Sequence, residues 1–298
     1  MTDAPARPDL DVRRLSGSLG AEVRGLSLAD ATEQDAADLY QLLLDNMVLF
    51  FPDQHLSPDE HIAFGRHFGE LESHPNLSFD AERPEFFELR AEGGQGAVAD
   101  EWHSDISFKQ QPSRFAILQM RDCPSVGGDT MWANAAKAYD ELSPPLRDLC
   151  DGLTALHDAG PHLHAEQTYI HPVVRVHPDT GRRSLFVNEH FTRRIVELSD
   201  AESRMLLDHL CRWIHEPRFT VRYQWASGTV AMWDNRCTQH YVLDDFTETR
   251  VIQRVTVMGD QPEAASPSRW GPYGAKTARF WRDTPMRQQL KAQRDAAS

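Results

Sequence analysis

Trp102-His103-Ser104-Asp105-Ile106 carries an imidazole and a carboxylate two residues apart, and Trp233-Asp234-Asn235-Arg236-Cys237-Thr238-Gln239-His240 supplies a second imidazole far downstream. On a β-strand alternate side chains share a face, so His103 and Asp105 are expected to point the same way and grip one ion. Two histidines and one carboxylate on one face of an octahedron suit Fe(II) and leave three coordination positions open.

Outward from these segments the second half of the chain reads as a series of short strands. Val173-Val174-Arg175-Val176, Ser184-Leu185-Phe186-Val187, Thr220-Val221-Arg222-Tyr223, Thr229-Val230-Ala231-Met232 and the run from Val251 to Met258 are β-branched or aromatic, with turn residues between them. Upstream, Met47 to Phe51 reads as a buried strand and Arg114 to Met120 as another, while Gly127-Gly128-Asp129-Thr130 turns into a third. Helices are fewer. Apolar residues recur at helical spacing from Glu33 to Asn46, and Ser57-Pro58-Asp59-Glu60 and Ser199-Asp200-Ala201-Glu202 are capping boxes. Ser143-Pro144-Pro145-Leu146 opens one more helix. The expected fold is mainly β with α decoration, a double-sheet jelly roll.

Residues 1–14 read as a disordered lead-in, residues 15–275 as one domain and residues 276–298 as a peripheral tail. Two segments, near 75–101 and 157–171, are expected to be lids. The first contains Gly93-Gly94-Gln95-Gly96, too glycine-rich for a regular element, and the second is a histidine-rich stretch that reads as a loop. Within the second, His162-Leu163-His164 offers a rival metal pair. Gly160 and Pro161 break the alternation that would align those two rings, so the sequence leaves a lid and a second metal site both open there.

With 31 basic against 45 acidic residues the formal charge is −14, and the basic residues do not cluster, which argues against a nucleic-acid surface. Cys123, Cys150, Cys211 and Cys237 show no paired spacing, and Met1 to Leu10 has acids and prolines where a secretory signal has an apolar run. No apolar stretch approaches the roughly 18 residues that cross a bilayer. A cytoplasmic protein with reduced thiols, no membrane partner and a small-molecule substrate is expected; homo-oligomerisation is left open.

His-x-Asp by itself is weak evidence, because the fourteen histidines of this chain produce such pairs by chance. The arginines after His240 add to it. Arg250 and Arg254 stand four apart in Arg250-Val251-Ile252-Gln253-Arg254, so on a strand they share a face. Two inward guanidiniums are costly unless anions meet them, and the planar fork of arginine suits a carboxylate. The bland alternative is that both pair with surface acids such as Glu248 or Asp245.

Taken together, His103-Ser104-Asp105, Gly127-Gly128-Asp129-Thr130, Trp233-Asp234-Asn235-Arg236, Gln239-His240 and Arg250 to Arg254 resemble the taurine dioxygenase (TauD) family of Fe(II)/2-oxoglutarate-dependent oxygenases. The likeness runs in order from about Leu15 to Gly259, and takes in His74-Pro75, His171 to Arg175 and Phe186-Val187-Asn188-Glu189. It implies a double-stranded β-helix core, with His103, Asp105 and His240 as iron ligands. It also implies that Thr130 and Arg250 hold the distal carboxylate of 2-oxoglutarate, that Arg254 lies near its metal-bound end or the substrate anion, and that O2 is the second cosubstrate.

His74 and Arg254 match positions that meet the sulfonate in taurine-cleaving members. Leu77 and Ala99 stand where those members place residues that hydrogen-bond the amine, and neither can do so here. With Ile106 and Phe191 they are expected to line a more apolar pocket, or else to be plain core. The resemblance therefore implies hydroxylation of a substrate with an anionic head, an alkyl sulfonate, alkyl sulfate, aryloxy acid or apolar natural-product acid, and not specifically taurine. The alternative is a jelly-roll protein that binds a metal and a small anion without turnover.

Overall fold

The computed structural model describes residues 10–73, 82–92 and 99–274. Its backbone is a seven-stranded sheet, in the order Asp11–Arg14, Ala21–Arg24, Val48–Phe51, Val230–Asp234, Phe115–Asp122, Thr249–Val257 and Phe86–Glu92. Facing it is a three-stranded sheet, Thr220–Tyr223, Thr130–Asn134 and Thr238–Val242. Two further three-stranded sheets extend the second half of the molecule. This is the mainly β, jelly-roll arrangement that the strand pattern predicts.

The large sheet is covered on both faces, which explains why its strands read as continuous apolar runs. Along Val230–Asp234, Val230 and Met232 pack with Leu39 and Leu43 of the helix Glu33–Asn46, while Ala231 and Trp233 pack with Trp132 and Tyr223 of the opposing sheet. Phe115 and Ile117 lie on the helix side and Ala116 and Leu118 on the inner side. Each such buried Leu, Phe or Met contributes about 1.5–3 kcal/mol relative to exposure.

The same alternation positions the arginines. In Thr249–Val257, Val255 and Val257 pack among the helix-side residues, so Arg250, Ile252 and Arg254 face inward.

The expected helices are present: Glu33–Asn46 from its apolar spacing, and Pro58–Arg66, Pro144–Cys150 and Asp200–Ile214 from their start signals, with the reciprocal capping-box bonds at Ser57/Glu60 and Ser199/Glu202. Met47, expected to begin a strand, instead closes the first helix at φ 63°. Asp11–Arg14, inside the expected disordered lead-in, is a strand paired with Ala21–Arg24. Ala135–Asp140 is a helix that the strand reading passed over, capped by the Asn134 side chain on the Lys137 N–H.

Two corrections bear on the site. The His103 segment is not a strand: His103 makes one isolated antiparallel bridge, to His240, and the chain then turns through residues 105–108. The 157–171 segment is not a loop but most of a hairpin, Thr154–Ala159 with His164–Pro172, in which His157 of the first strand and His171 of the second both bury against Phe186. The glycine-rich part of the first expected lid, His74 and Leu77 lie outside the described residues, as does the tail from Lys276.

Candidate metal and cosubstrate site

His103 and His240 come together through paired backbone bonds, His103 N–H to the His240 carbonyl at 3.1 Å and the reverse at 2.8 Å. Their ring centroids stand 4.1 Å apart. The turn after His103 delivers Asp105: Nε2 of His103 and Nε2 of His240 lie 3.9 Å and 3.8 Å from the same oxygen, Asp105 Oδ1. Those separations are too long for hydrogen bonds and leave the three donors converging on one point. All three side chains are buried.

The turn is held from several sides. Ser104 Oγ donates to the Thr238 carbonyl at 2.7 Å, and the Asp105 N–H donates to Asn235 Oδ1 at 3.3 Å. Ile106 sits at φ 41°, a conformation that a β-branched residue adopts only at a cost of about 1–3 kcal/mol. That strain accompanies the departure from the expected strand: alternation did not align His103 and Asp105; the turn did.

Electrostatics suit a cation. Burial lowers the His103 pKa to about 4 and pushes His240 well below the usual imidazole value, so both rings are neutral and carry lone pairs. The His103 Nδ1–H donates to the Glu101 carbonyl at 2.7 Å, which turns the Nε2 lone pair toward Asp105. Burial alone would raise the Asp105 pKa, but the charge of the Arg254 guanidinium and its hydrogen bond outweigh it and hold the carboxyl ionised. His240 Nδ1 is buried without a hydrogen-bond partner. Neutral nitrogens and an ionised carboxylate in one buried cluster fit a divalent ion of the Fe(II) type.

A second buried cluster, His177, Asp234 and Cys237, has ligand atoms as close together. It does not fit a metal. Asp234 accepts from Arg236 Nε and Nη2 at 2.9 Å and 2.7 Å and bonds His177 Nε2 at 2.9 Å, while His177 Nδ1 receives the Asp179 and Thr180 N–H groups. Burial raises the Cys237 thiol pKa well above its ordinary value, so the sulfur is protonated.

The same cavity that receives His103, Asp105 and His240 is lined by Thr130, Arg250 and Arg254, and also by Ala99, Ile106 and Phe191. The two arginines do not pair with Glu248 or Asp245: Glu248 accepts from Ser125, and Asp245 accepts from the Gly128 N–H. Arg250 donates through Nε to the Gly128 carbonyl at 3.2 Å and leaves its buried Nη2 unpartnered. Burial lowers its pKa from 12.5 to about 10. Thr130 Oγ1 accepts from Trp225 Nε1 at 2.9 Å, so its own proton is available to an acceptor. Arg254 takes a different part: Nη2 meets Asp105 Oδ2, and the guanidinium lies 5.1 Å from the Trp233 ring centroid.

Sequence reasoning missed Glu101, Asn235 and Trp225, which touch the ligand set or Thr130, and the cavity-lining His162 and His190. The signal for Glu101 and Asn235 was only their closeness to motif residues. His162, half of the rival metal pair, lines the cavity, while His164 pairs with Glu166 on the surface. Among the described residues no metal-competent cluster includes either ring.

The family model described as "Taurine catabolism dioxygenase TauD, TfdA family" matches residues 11–256. An alpha-ketoglutarate-dependent sulfate ester dioxygenase of Pseudomonas putida is 37% identical over 286 residues, 88% of this chain and 94% of that protein. An alkylsulfatase of Acinetobacter baylyi is 35% identical, over 84% of this chain and 86% of its own length. The crystal structure of a taurine dioxygenase from Burkholderia xenovorans superposes with a TM-score of 0.80 at 35% identity, covering 90% of this chain and 98% of the other.

Proposed function

This chain belongs to the TauD, TfdA family, and from that premise and the build of its cavity we propose that it hydroxylates an alkyl sulfate at the carbon bearing the ester oxygen. It is an Fe(II)- and 2-oxoglutarate-dependent dioxygenase, an oxidoreductase that yields succinate and CO2 as its substrate is oxidised. Membership displaces the reading of a non-catalytic sensor.

In this proposal His103, Asp105 and His240 hold the ferrous ion, which when bound couples 2-oxoglutarate decarboxylation to activation of O2. Arg250 and Thr130 receive the distal carboxylate of the cosubstrate, Arg250 by its free Nη2 and Thr130 by its hydroxyl proton. Arg254 fixes the second oxygen of Asp105, leaving Oδ1 to face the two imidazoles. The observation that carries the reading is the buried Arg250 guanidinium, whose Nη2 has no partner among the described residues, in the cavity that gathers the triad.

The remaining walls, Leu89, Ile106, Phe191, Val242 and Ile252 among them, are apolar and suit an alkyl chain. Ala99 offers no hydrogen bond to an amine, and the relatives from Pseudomonas putida and Acinetobacter baylyi are named for sulfate esters. A carbon carrying both a new hydroxyl and a sulfate ester collapses: the hydroxyl proton leaves, a C=O bond forms, and the C–O bond to sulfate breaks with its electron pair on the sulfate. The products are an aldehyde and hydrogen sulfate.

Alkyl sulfates of increasing chain length and taurine, each given with Fe(II), ascorbate, 2-oxoglutarate and air, test this. Succinate and sulfate should form in equal amounts with the alkyl sulfates and far less with taurine. Equal or faster turnover of taurine, or no stimulation by any alkyl sulfate, refutes the substrate assignment. A cytoplasmic location belongs to the same proposal, supported by four free cysteines. So does the absence of a nucleic-acid partner, supported by the net charge of −14. Among the described residues no helix is long and apolar enough to cross a membrane.

A further inference from the structure

Three consecutive residues, Val187, Asn188 and Glu189, bond next to the three ligands: one beside His240, and two at either end of the segment that carries His103 and Asp105. The Val187 carbonyl accepts from Gln239 Nε2 at 2.6 Å, and Gln239 adjoins His240. Asn188 Nδ2 donates to Ser107 Oγ at 3.1 Å, and Ser107 lies in the turn that carries Asp105. Glu189 Oε1 accepts the Trp102 N–H at 2.9 Å, and Trp102 precedes His103.

The segment is itself fixed. Asn188 Oδ1 accepts the Phe191 N–H at 2.8 Å, the Asn188 N–H donates to Thr192 Oγ1 at 2.9 Å, and Asn188 is 2% exposed. Ser107 Oγ also bonds His157 Nδ1 at 3.0 Å, which ties the turn to the neighbouring hairpin. His215 bonds Gln239 Oε1 at 3.1 Å and stacks on Trp102 at 4.5 Å, joining the two outer connections behind the ligands.

We propose that Asn188 and Glu189 are positioning residues for metal binding, and that residues 187–189 form a bracket setting the mutual spacing of His103, Asp105 and His240. This rests on the metal reading above. The physical need is plain: His240 is fixed in the paired strand Thr238–Val242, but His103 sits on an isolated bridge and Asp105 in a strained turn, neither of which a continuous sheet ladder holds in place. A ligand free to move by a fraction of an ångström loses affinity although every donor is still present.

The test is titration of the metal-free protein with Mn(II) alone, followed by loss of the free-ion paramagnetic signal. Glu189→Ala and Asn188→Ala should each weaken binding by roughly 10–100-fold, the range for groups that orient metal ligands. Glu189→Gln keeps an acceptor oxygen for the Trp102 N–H and should retain wild-type affinity, which loss of a merely structural contact does not require. Ser203→Ala, which removes a similar buried bond to the Ile195 N–H remote from the cavity, should lower Tm and leave Mn(II) affinity unchanged. Folded Glu189→Ala and Asn188→Ala proteins that bind Mn(II) as tightly as wild type overturn the bracket while the metal site stands. Wild-type protein that binds no Mn(II) overturns the metal reading itself.

Discussion

Replacing Arg250 with methionine should have opposite effects with and without 2-oxoglutarate. The buried guanidinium meets one carbonyl and leaves Nη2 unpartnered, and burial lowers its pKa from 12.5 to about 10. At about 1.4 kcal/mol per unit, keeping that charge in the ligand-free fold costs on the order of 3 kcal/mol. For a cation with a depressed folded pKa the cost is present in full below about pH 10 and is relieved as pH rises through the interval to 12.5. At neutral pH, then, Arg250→Met removes the cost, fills similar volume and should leave Tm of the ligand-free protein unchanged or raise it. The same change removes a charged hydrogen-bond partner of the cosubstrate, worth roughly 1.5–3 kcal/mol, so the Kd for 2-oxoglutarate should rise about tenfold to 150-fold. Ligand-free melting and anaerobic titration of the Fe(II) protein, read by its weak visible charge-transfer band, measure the two effects separately. A large fall in ligand-free Tm with unchanged 2-oxoglutarate affinity would show that Arg250 is a structural group and that the cosubstrate sits elsewhere.

Three other perturbations probe the site and the fold. His103→Ala should abolish the visible band formed anaerobically by Fe(II) with 2-oxoglutarate, and a band at full strength would remove His103 from the ligand set. Gly128 adopts φ +69°, and an added Cβ would meet Arg250 Cδ at 3.2 Å and Phe246 Cδ1 at 3.3 Å; Gly128→Ala should therefore displace Arg250 and weaken 2-oxoglutarate severalfold, with Mn(II) binding as the unaffected control. Burial lowers the His61 pKa to about 4, with Nε2 donating to the Ile117 carbonyl at 3.0 Å, so its contribution is complete above about pH 6.5 and is lost as pH falls toward 4. The unfolded state binds the extra proton in that window, and the loss approaches about 3 kcal/mol at its acid end. Urea unfolding at pH 7 and pH 4.5 should show a smaller difference for His61→Gln than for wild type, and equal differences would place the acid sensitivity elsewhere.

Much of the site was legible because it is written in local chemistry. The helix caps at Ser57 and Ser199 act within four residues, and the inward face of Arg250 and Arg254 follows from two-residue alternation within one strand. The 105–108 turn was not legible, because Ile106 is a good strand former held at a positive φ while its neighbours bond to residues far along the chain. The hairpin Thr154–Ala159 with His164–Pro172 was hidden by polar, exposed residues such as Glu166 and Gln167, which carry no alternation toward a core.

By itself the sequence determined which donors this protein owns: two imidazoles, one carboxylate, two guanidiniums and the alternation that turns those guanidiniums inward. Only the tertiary structure decided their division of labour, giving Arg254 to Asp105 and leaving Arg250 without an acidic partner among the described residues, and bringing residues 187–189 behind all three ligands. Backbone periodicity fixes which face a side chain occupies over a few residues. The partner it meets there comes from a segment tens or hundreds of residues away, and that choice exists only once the sheets have packed.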